Sequence, residues 1–156
     1  ALSEIGNVLS RLAELSEQSA NGVFSTVQRS ALAQEFTALG SEIERIAVTT
    51  RFNGVALLSG NSSLTLQVGF DSRSTAQISY TGVQGTLAAL GLAAANSSAL
   101  SFSLNGGTID AGQSASRLAL DAVNAAISSL AQTRGVLGAA ESRLRVSINN
   151  LSVARE

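Results

Sequence analysis

The sequence predicts a mainly α-helical fold with a small β-hairpin region, arranged as an elongated antiparallel bundle of two N-terminal helices and one long C-terminal helix. Three observations lead to this fold class. Apolar residues recur at helical spacing near 1–19, 25–50 and 114–156. Two short stretches between them alternate apolar and polar residues, as half-buried strands do. The chain contains no proline that would interrupt a helix.

The first helix is predicted to run from about residue 1 to residue 19. Asn21-Gly22 is expected to end it, because glycine and asparagine are common at helix C-termini. No capping signal precedes Ala1 and no stop signal precedes Glu156, so we expect a fragment of a longer chain whose terminal helices continue in both directions. The predicted inward residues are Leu2, Ile5, Val8, Leu12 and Leu15.

The second helix is predicted to begin at Ser25 and to end near Thr50. Ser25 and Gln28 have the spacing of a capping box, in which the two side chains satisfy free backbone amides at the helix start. The periodic signal here is the strongest in the chain. Its apolar face is expected to comprise Leu32, Phe36, Leu39, Ile43 and Ile46, with Thr50 at its end.

The region 52–113 is predicted to be a β excursion with loops. Asn53-Gly54 is a favoured turn dipeptide. Stretches 64–68 and 76–80 read as the two strands of a hairpin joined by a loop at 69–75, and the hairpin must pack on the helices because a lone hairpin is marginal in water. Further expectations are a helical turn within 86–94, a short strand at 102–104 and a turn at 105–107.

The last helix is predicted over 114–156, capped by Asp110 or Ser114. With 1–51 and 52–113 it would form one domain. Arg134 and Glu141 fall on its coiled-coil-like seam, where a polar group can fix register; the favoured interpretation is that both simply reach water. The seam comprises Leu120, Val123, Ile127, Leu130, Leu137, Leu144, Ile148 and Leu151.

Composition argues against catalysis. The chain has no histidine and no cysteine, which removes the commonest general base, the commonest metal ligand and thiolate chemistry. No paired carboxylates and no phosphate-binding glycine motif stand out. We therefore expect no enzyme activity, no catalytic residue, no metal and no cofactor. With a net charge of −1 and 13% charged residues, nothing indicates a nucleic-acid or membrane partner.

Five motifs, in order, resemble bacterial flagellins. They are LSRLAELSEQSANG at 9–22, TRFNGVALL at 50–58, LQVG at 66–69, LGL at 90–92 and RGVLGAAESRL at 134–144. The resemblance implies a rod core flanked by terminal helices that are missing here, with a minimal outer domain because only about 81–113 is available for one. It also implies an exported, extracellular structural subunit of the flagellar filament, acting in motility, secreted by the type III apparatus and partnered by other flagellin subunits. The fragment alone is expected to be monomeric.

The resemblance also implies a possible host partner, the flagellin-sensing Toll-like receptor. The family positions that the receptor grips match Arg11, Leu15 and Glu35, and all three residue types are retained. Ala13 departs from the pattern, because recognised members usually carry a basic residue there. The competing interpretation is that Leu15 is a core residue and that Arg11 and Glu35 are solvated surface charges.

Two other functions compete with the filament subunit. A flagellin-like adhesin or carbohydrate-binding protein would need aromatic side chains for sugars to stack on, and five Phe, one Tyr and no Trp argue against it. A type III tip or needle protein is a third possibility, which the motifs fit less well.

Overall fold

A computed structural model describes residues 1–60, 63–67, 73, 77–81 and 83–154. That part of the chain confirms the predicted fold class of two N-terminal helices, a small β region and a long last helix. None of its helices is long and apolar enough to cross a membrane. The elements are α1 (Leu2–Ala20), α2 (Thr26–Thr49), β1 (Arg51–Phe52), β2 (Val55–Ala56), β3 (Ser63–Gln67), β4 (Gln77–Thr81) and α3 (Ile109–Ala154).

Helix α1 supplies much of the core. Its cap is Asn21, as predicted, although Asn21 has an extended backbone with φ −74° rather than a left-handed one. Leu2 and Val8 are only half-buried, whereas Leu9, which was not expected to face inward, is fully buried. The buried face is wider than one stripe because α1 packs against both α2 and α3. The buried residues of α1 are Ile5, Leu9, Leu12, Leu15, Ser16 and Ser19.

Helix α2 begins with the predicted capping box. The Ser25 Oγ accepts a hydrogen bond from the Gln28 N–H at 3.3 Å, and the Gln28 Oε1 accepts one from the Ser25 N–H at 2.9 Å. The helix ends at Thr49, as predicted to within a residue. Phe36 and Ile43 are buried as expected, while the flanking apolar residues Leu32, Leu39 and Ile46 are half-buried.

Helix α3 starts earlier than residue 114, and neither Asp110 nor Ser114 caps it. Thr108 does so instead, because its Oγ1 accepts the Ala111 N–H at 3.2 Å and its carbonyl accepts the Gly112 N–H at 2.9 Å. Asp110 therefore lies inside the first turn, where its charge suits the positive end of the helix dipole. The 46 residues of α3 span roughly 70 Å at 1.5 Å per residue.

Helices α1 and α3 are antiparallel. Ser116 near the start of α3 donates a hydrogen bond to Ser19 Oγ near the end of α1, at 2.8 Å. At the opposite end of α1, Gly6 lies against Leu130, whose Cδ2 would be 3.6 Å from a Cβ added at the glycine. These two contacts, one at each end of α1, show that the helices run in opposite directions.

Two antiparallel hairpins follow α2. The predicted Asn53-Gly54 turn joins β1 to β2, and its residues have φ of 48° and 80°, the consecutive positive values that a tight hairpin turn requires. Strands β3 and β4 confirm the predicted hairpin, with Leu66 opposite Ile78. Of the predicted loop at 69–75, only residue 73 is described, and residues 68 and 76 lie outside the described part.

The segment before α3 folds onto the core. The expected helical turn is present and is closed by a hydrogen bond of 3.0 Å from the Leu90 N–H to the Thr86 carbonyl. The strand predicted at 102–104 is wrong, because the carbonyl of Leu104 instead accepts hydrogen bonds from Ser19 and Ser116. The turn at 105–107 is confirmed, with Gly107 at φ 79°.

Candidate functional site

A cluster of three charged side chains joins the exposed faces of α1 and α2. Arg11 donates from Nε and Nη2 to Glu35 Oε1, at 2.9 and 2.8 Å, and from Nη1 to Glu14 Oε2 at 3.0 Å. The Arg11 and Glu35 side chains are each 44% exposed. The hydrogen bond with Glu14, followed by the hydrogen bond and charge of Glu35, raises the pKa of Arg11. The three hydrogen bonds hold the guanidinium in place at an accessible surface.

Only two of the three predicted receptor-binding residues meet at this surface. Arg11 and Glu35 are brought together from residues distant in sequence because α1 and α2 pack side by side. Leu15 is fully buried in the core, one helical turn beyond Arg11. The position of Leu15 therefore agrees with the interpretation that it is a core residue. The exposure of Arg11 and Glu35 is compatible both with receptor contact and with a role as solvated surface charges.

Glu14 is the member of the cluster that sequence reasoning missed. It lies three residues after Arg11 on α1, a spacing at which opposite charges on a helix are neighbours. That spacing could have identified it. Glu14 fixes the guanidinium from its own helix, and Glu35 fixes it from the next helix.

The distal half of α3 presents a second surface. Its seam residues Leu137 and Ile148 are 38% and 56% exposed, although both were expected to face a partner helix. A Cβ added at Gly135 or Gly138 would meet nothing within 4 Å. Within the described part of the chain, this half of α3 therefore carries an apolar stripe that no other element covers.

The two polar residues on the seam of α3, Arg134 and Glu141, reach water, as expected from the sequence. Arg134 and Glu141 are both exposed. Glu141 Oε1 accepts a hydrogen bond from Arg145 Nη2 at 3.3 Å, one helical turn further on the same helix. Neither residue is buried against a second helix in the described structure.

One groove in the described structure lies between α2 and the segments that follow it. It has a volume of about 590 Å³, and one wall is Glu44, whose Oε2 accepts the Leu87 N–H at 2.9 Å. Its described lining contains serine, threonine, asparagine and alanine but no aromatic side chain, so it offers no face on which a sugar ring could stack. Among the described residues, no group of three His, Cys, Asp or Glu could hold a metal ion.

Residues 1–63 match the family model described as the bacterial flagellin N-terminal helical region. Flagellin B of Vibrio anguillarum is 39% identical over 92 residues, which are 58% of this chain and 24% of that protein. Flagellin D of the same organism is 37% identical over 114 residues, covering 70% of this chain and 30% of that protein. The chain thus spans less than a third of these relatives.

The fold is similar to that in the crystal structure of Bacillus cereus flagellin. The TM-score is 0.73, and the match covers 96% of this chain and 78% of the other, with 22% sequence identity. At that identity the likeness establishes the fold.

Proposed function

We propose that this chain, which belongs to the bacterial flagellins, is the rod-like part of a structural subunit of the extracellular flagellar filament. In this function the protein is exported, packs against identical copies and contributes to motility. A contact between different faces of identical subunits does not close on itself, so its repetition builds an open helix. Flagellins are a family of structural proteins, and we assign no catalytic step to this member.

The observation that carries this proposal is the uncovered apolar stripe on the distal half of α3. Leu137 and Ile148 lie eleven residues apart, which is three helical turns, and so share one side of the helix. A stripe at this period is the pattern of a helix that pairs with another helix. We propose that helices outside the described residues cover it in the longer subunit.

We also propose that the 156-residue chain by itself stays monomeric. The test is negative-stain electron microscopy of this chain beside the longer flagellin that contains it, in the same polymerising salt. Filaments from the longer protein and none from the 156-residue chain are expected. Filaments from the short chain would contradict the need for additional helices, and no filaments from the longer protein would contradict the filament function.

A second proposal concerns the host. We infer that the Arg11–Glu35 pair is a contact site for the flagellin-sensing Toll-like receptor, and that Leu15 acts by holding α1 in place from the core. The pair supports this proposal because it is exposed and because hydrogen bonds to acceptors on both α1 and α2 hold Arg11 in place. Binding at such a pre-organised site loses little side-chain entropy.

The test of the receptor site is signalling by cells that express the receptor, with Arg11→Ala and Glu35→Ala. Each substitution is expected to raise the half-maximal protein concentration about tenfold or more, as truncation of a central interface residue does. The matched control is Arg45→Ala. Arg45 forms a comparable exposed pair with Glu42 on α2, in which the hydrogen bond lowers the pKa of Glu42 and raises that of Arg45.

The control separates recognition from general effects of charge removal. Equal loss of signalling from Arg11→Ala and Arg45→Ala would point to net charge and count against a local site. Unchanged signalling with both Arg11→Ala and Glu35→Ala would remove the receptor assignment, while leaving the filament proposal intact.

A further inference from the structure

The distal half of α3 carries apolar side chains on a second side, away from the apolar stripe. Val136 and Val146 are 64% and 56% exposed. Ala139 and Arg143 lie between them in the sequence and are also exposed. The four residues follow one another at spacings of three, four and three, so they share one side of the helix. We call this side the second face.

One partner helix cannot cover both the stripe and the second face. Since a helix turns by about 100° per residue, the centres of the two surfaces lie roughly 130° apart around α3. A helix packed on the stripe covers a coiled-coil seam that is narrower than about 100°. A helix that packs on the stripe in the longer subunit would therefore leave Val136 and Val146 in water. A helix with apolar residues on more than one side is typical of an interior rather than of a free surface.

The charges around the second face indicate an acidic partner. Residues 131–154 contain three arginines and one glutamate, and that glutamate already pairs with Arg145. Arg143, in the middle of the second face, forms no ion pair with a described residue. A partner surface of opposite charge would be steered toward the second face and held in register on it.

The bundle half of this same chain carries the complementary charge. Residues 2–49, which form α1, α2 and their connection, contain six glutamates and three arginines. One of these arginines, Arg29, is fully buried, so the surface of the two helices is more acidic than the count suggests. Glu4 and Glu17 on α1 are exposed and form no ion pair with a described residue. A second copy of the chain thus supplies an acidic surface of the kind that the second face lacks.

We propose that the second face docks on the acidic outer surface of α1 and α2 in a second copy of this chain. The inference rests on the proposed filament function and names the two surfaces that meet in the filament. The contact cannot form within one copy, because α3 is a continuous helix that leads its distal half past Leu130 and away from α1. Since the two surfaces lie on different parts of the rod, the contact is heterologous and repeats without closing.

Thiol accessibility tests whether another subunit covers the second face. Because this chain contains no cysteine, Val146→Cys and Ile148→Cys each introduce one thiol at a chosen place. In the unassembled longer flagellin, maleimide is expected to react freely at Val146→Cys but slowly at Ile148→Cys, which additional helices cover. In filaments the rate at Val146→Cys is expected to fall by about tenfold or more, because a shielded thiol reacts only when the contact opens. Equal rates in both states, or protection of Val146→Cys before assembly, would overturn the proposal.

Cross-linking identifies the surface that covers the second face. Filaments are grown from unlabelled wild-type longer flagellin with a minor share of isotope-labelled protein that carries benzophenone at Val146→Cys, and the photoproducts are mapped by mass spectrometry. Products that join labelled to unlabelled protein at α1 or α2 are expected. Products within one copy, or with α3 of the second copy, would overturn the proposal while leaving the filament function intact. Absence of filaments from the unsubstituted longer flagellin would contradict the filament function itself, so the two failures are distinguishable.

Discussion

At the scale of single residues, Leu9 illustrates how burial decides the importance of a leucine. It is fully buried in the hydrophobic core that α1 shares with the other helices, while Leu118 on α3 is 64% exposed. Both residues occupy helical positions and have the same side chain. Their different surroundings predict very different contributions to stability.

We predict that Leu9→Ala lowers the free energy of unfolding by about 2–5 kcal/mol, because the lost apolar contacts leave a cavity in a close-packed core. Leu118→Ala is expected to change it by less than about 0.5 kcal/mol, as substitutions at exposed positions do. Urea denaturation followed by circular dichroism measures both. Similar losses from the two substitutions would contradict the described core.

The charged cluster at Arg11 belongs to the same scale. Its side chains are well exposed, and solvent screens the attraction between their charges. The cluster therefore contributes little to the stability of the fold. Truncating Arg11 or Glu35 should therefore leave the fold intact. That separation of binding from stability makes a signalling assay interpretable without a large correction for unfolded protein.

At the scale of elements, local signals predicted the helices and turns well. The capping box at Ser25 and the Asn53-Gly54 turn depend on neighbours within a few residues, so the sequence alone contains the information that forms them. Periodicity located α1 and α2 for the same reason. The β3–β4 pairing followed from alternation on both strands.

The misses at this scale arise from contacts between distant residues. Leu104 was expected in a strand, but its carbonyl is bonded by serines from α1 and α3. Thr108 caps α3 through its own side chain and carbonyl. The sequence offered Asp110 and Ser114 as alternative capping residues nearby, and local pattern alone did not distinguish them from Thr108. Leu9 was missed because a single predicted stripe does not allow for a helix packed on two sides.

The candidate site was predictable only in part, for a similar reason. The resemblance supplied Arg11, Leu15 and Glu35, but the residues themselves do not say that Arg11 and Glu35 form a hydrogen-bonded pair, since they lie on different helices. Whether a periodic leucine such as Leu15 faces the core or a partner also depends on the packing of three helices. Glu14 alone was accessible from local spacing.

At the scale of the whole molecule, the three helices differ in length, and this difference leaves the distal half of α3 without a neighbouring helix in the described structure. The N-terminal half of α3 packs along α1 and buries Val123 and Leu130. Beyond that contact, α3 continues with Leu137 and Ile148 exposed. One half of this rod is a closed domain, and the other half carries the apolar stripe that we propose is covered by additional helices of the longer subunit.

The most direct test of this account is filament assembly by the longer flagellin with Leu137→Asp and Ile148→Asp. Asn149→Asp, also exposed on the distal half of α3, is the control for added charge. The two stripe substitutions are expected to abolish filaments in electron micrographs while leaving the Tm of the 156-residue chain unchanged, and the control should assemble normally. Wild-type filament yield from both stripe variants would contradict the claim that filament assembly requires additional helices to cover this stripe.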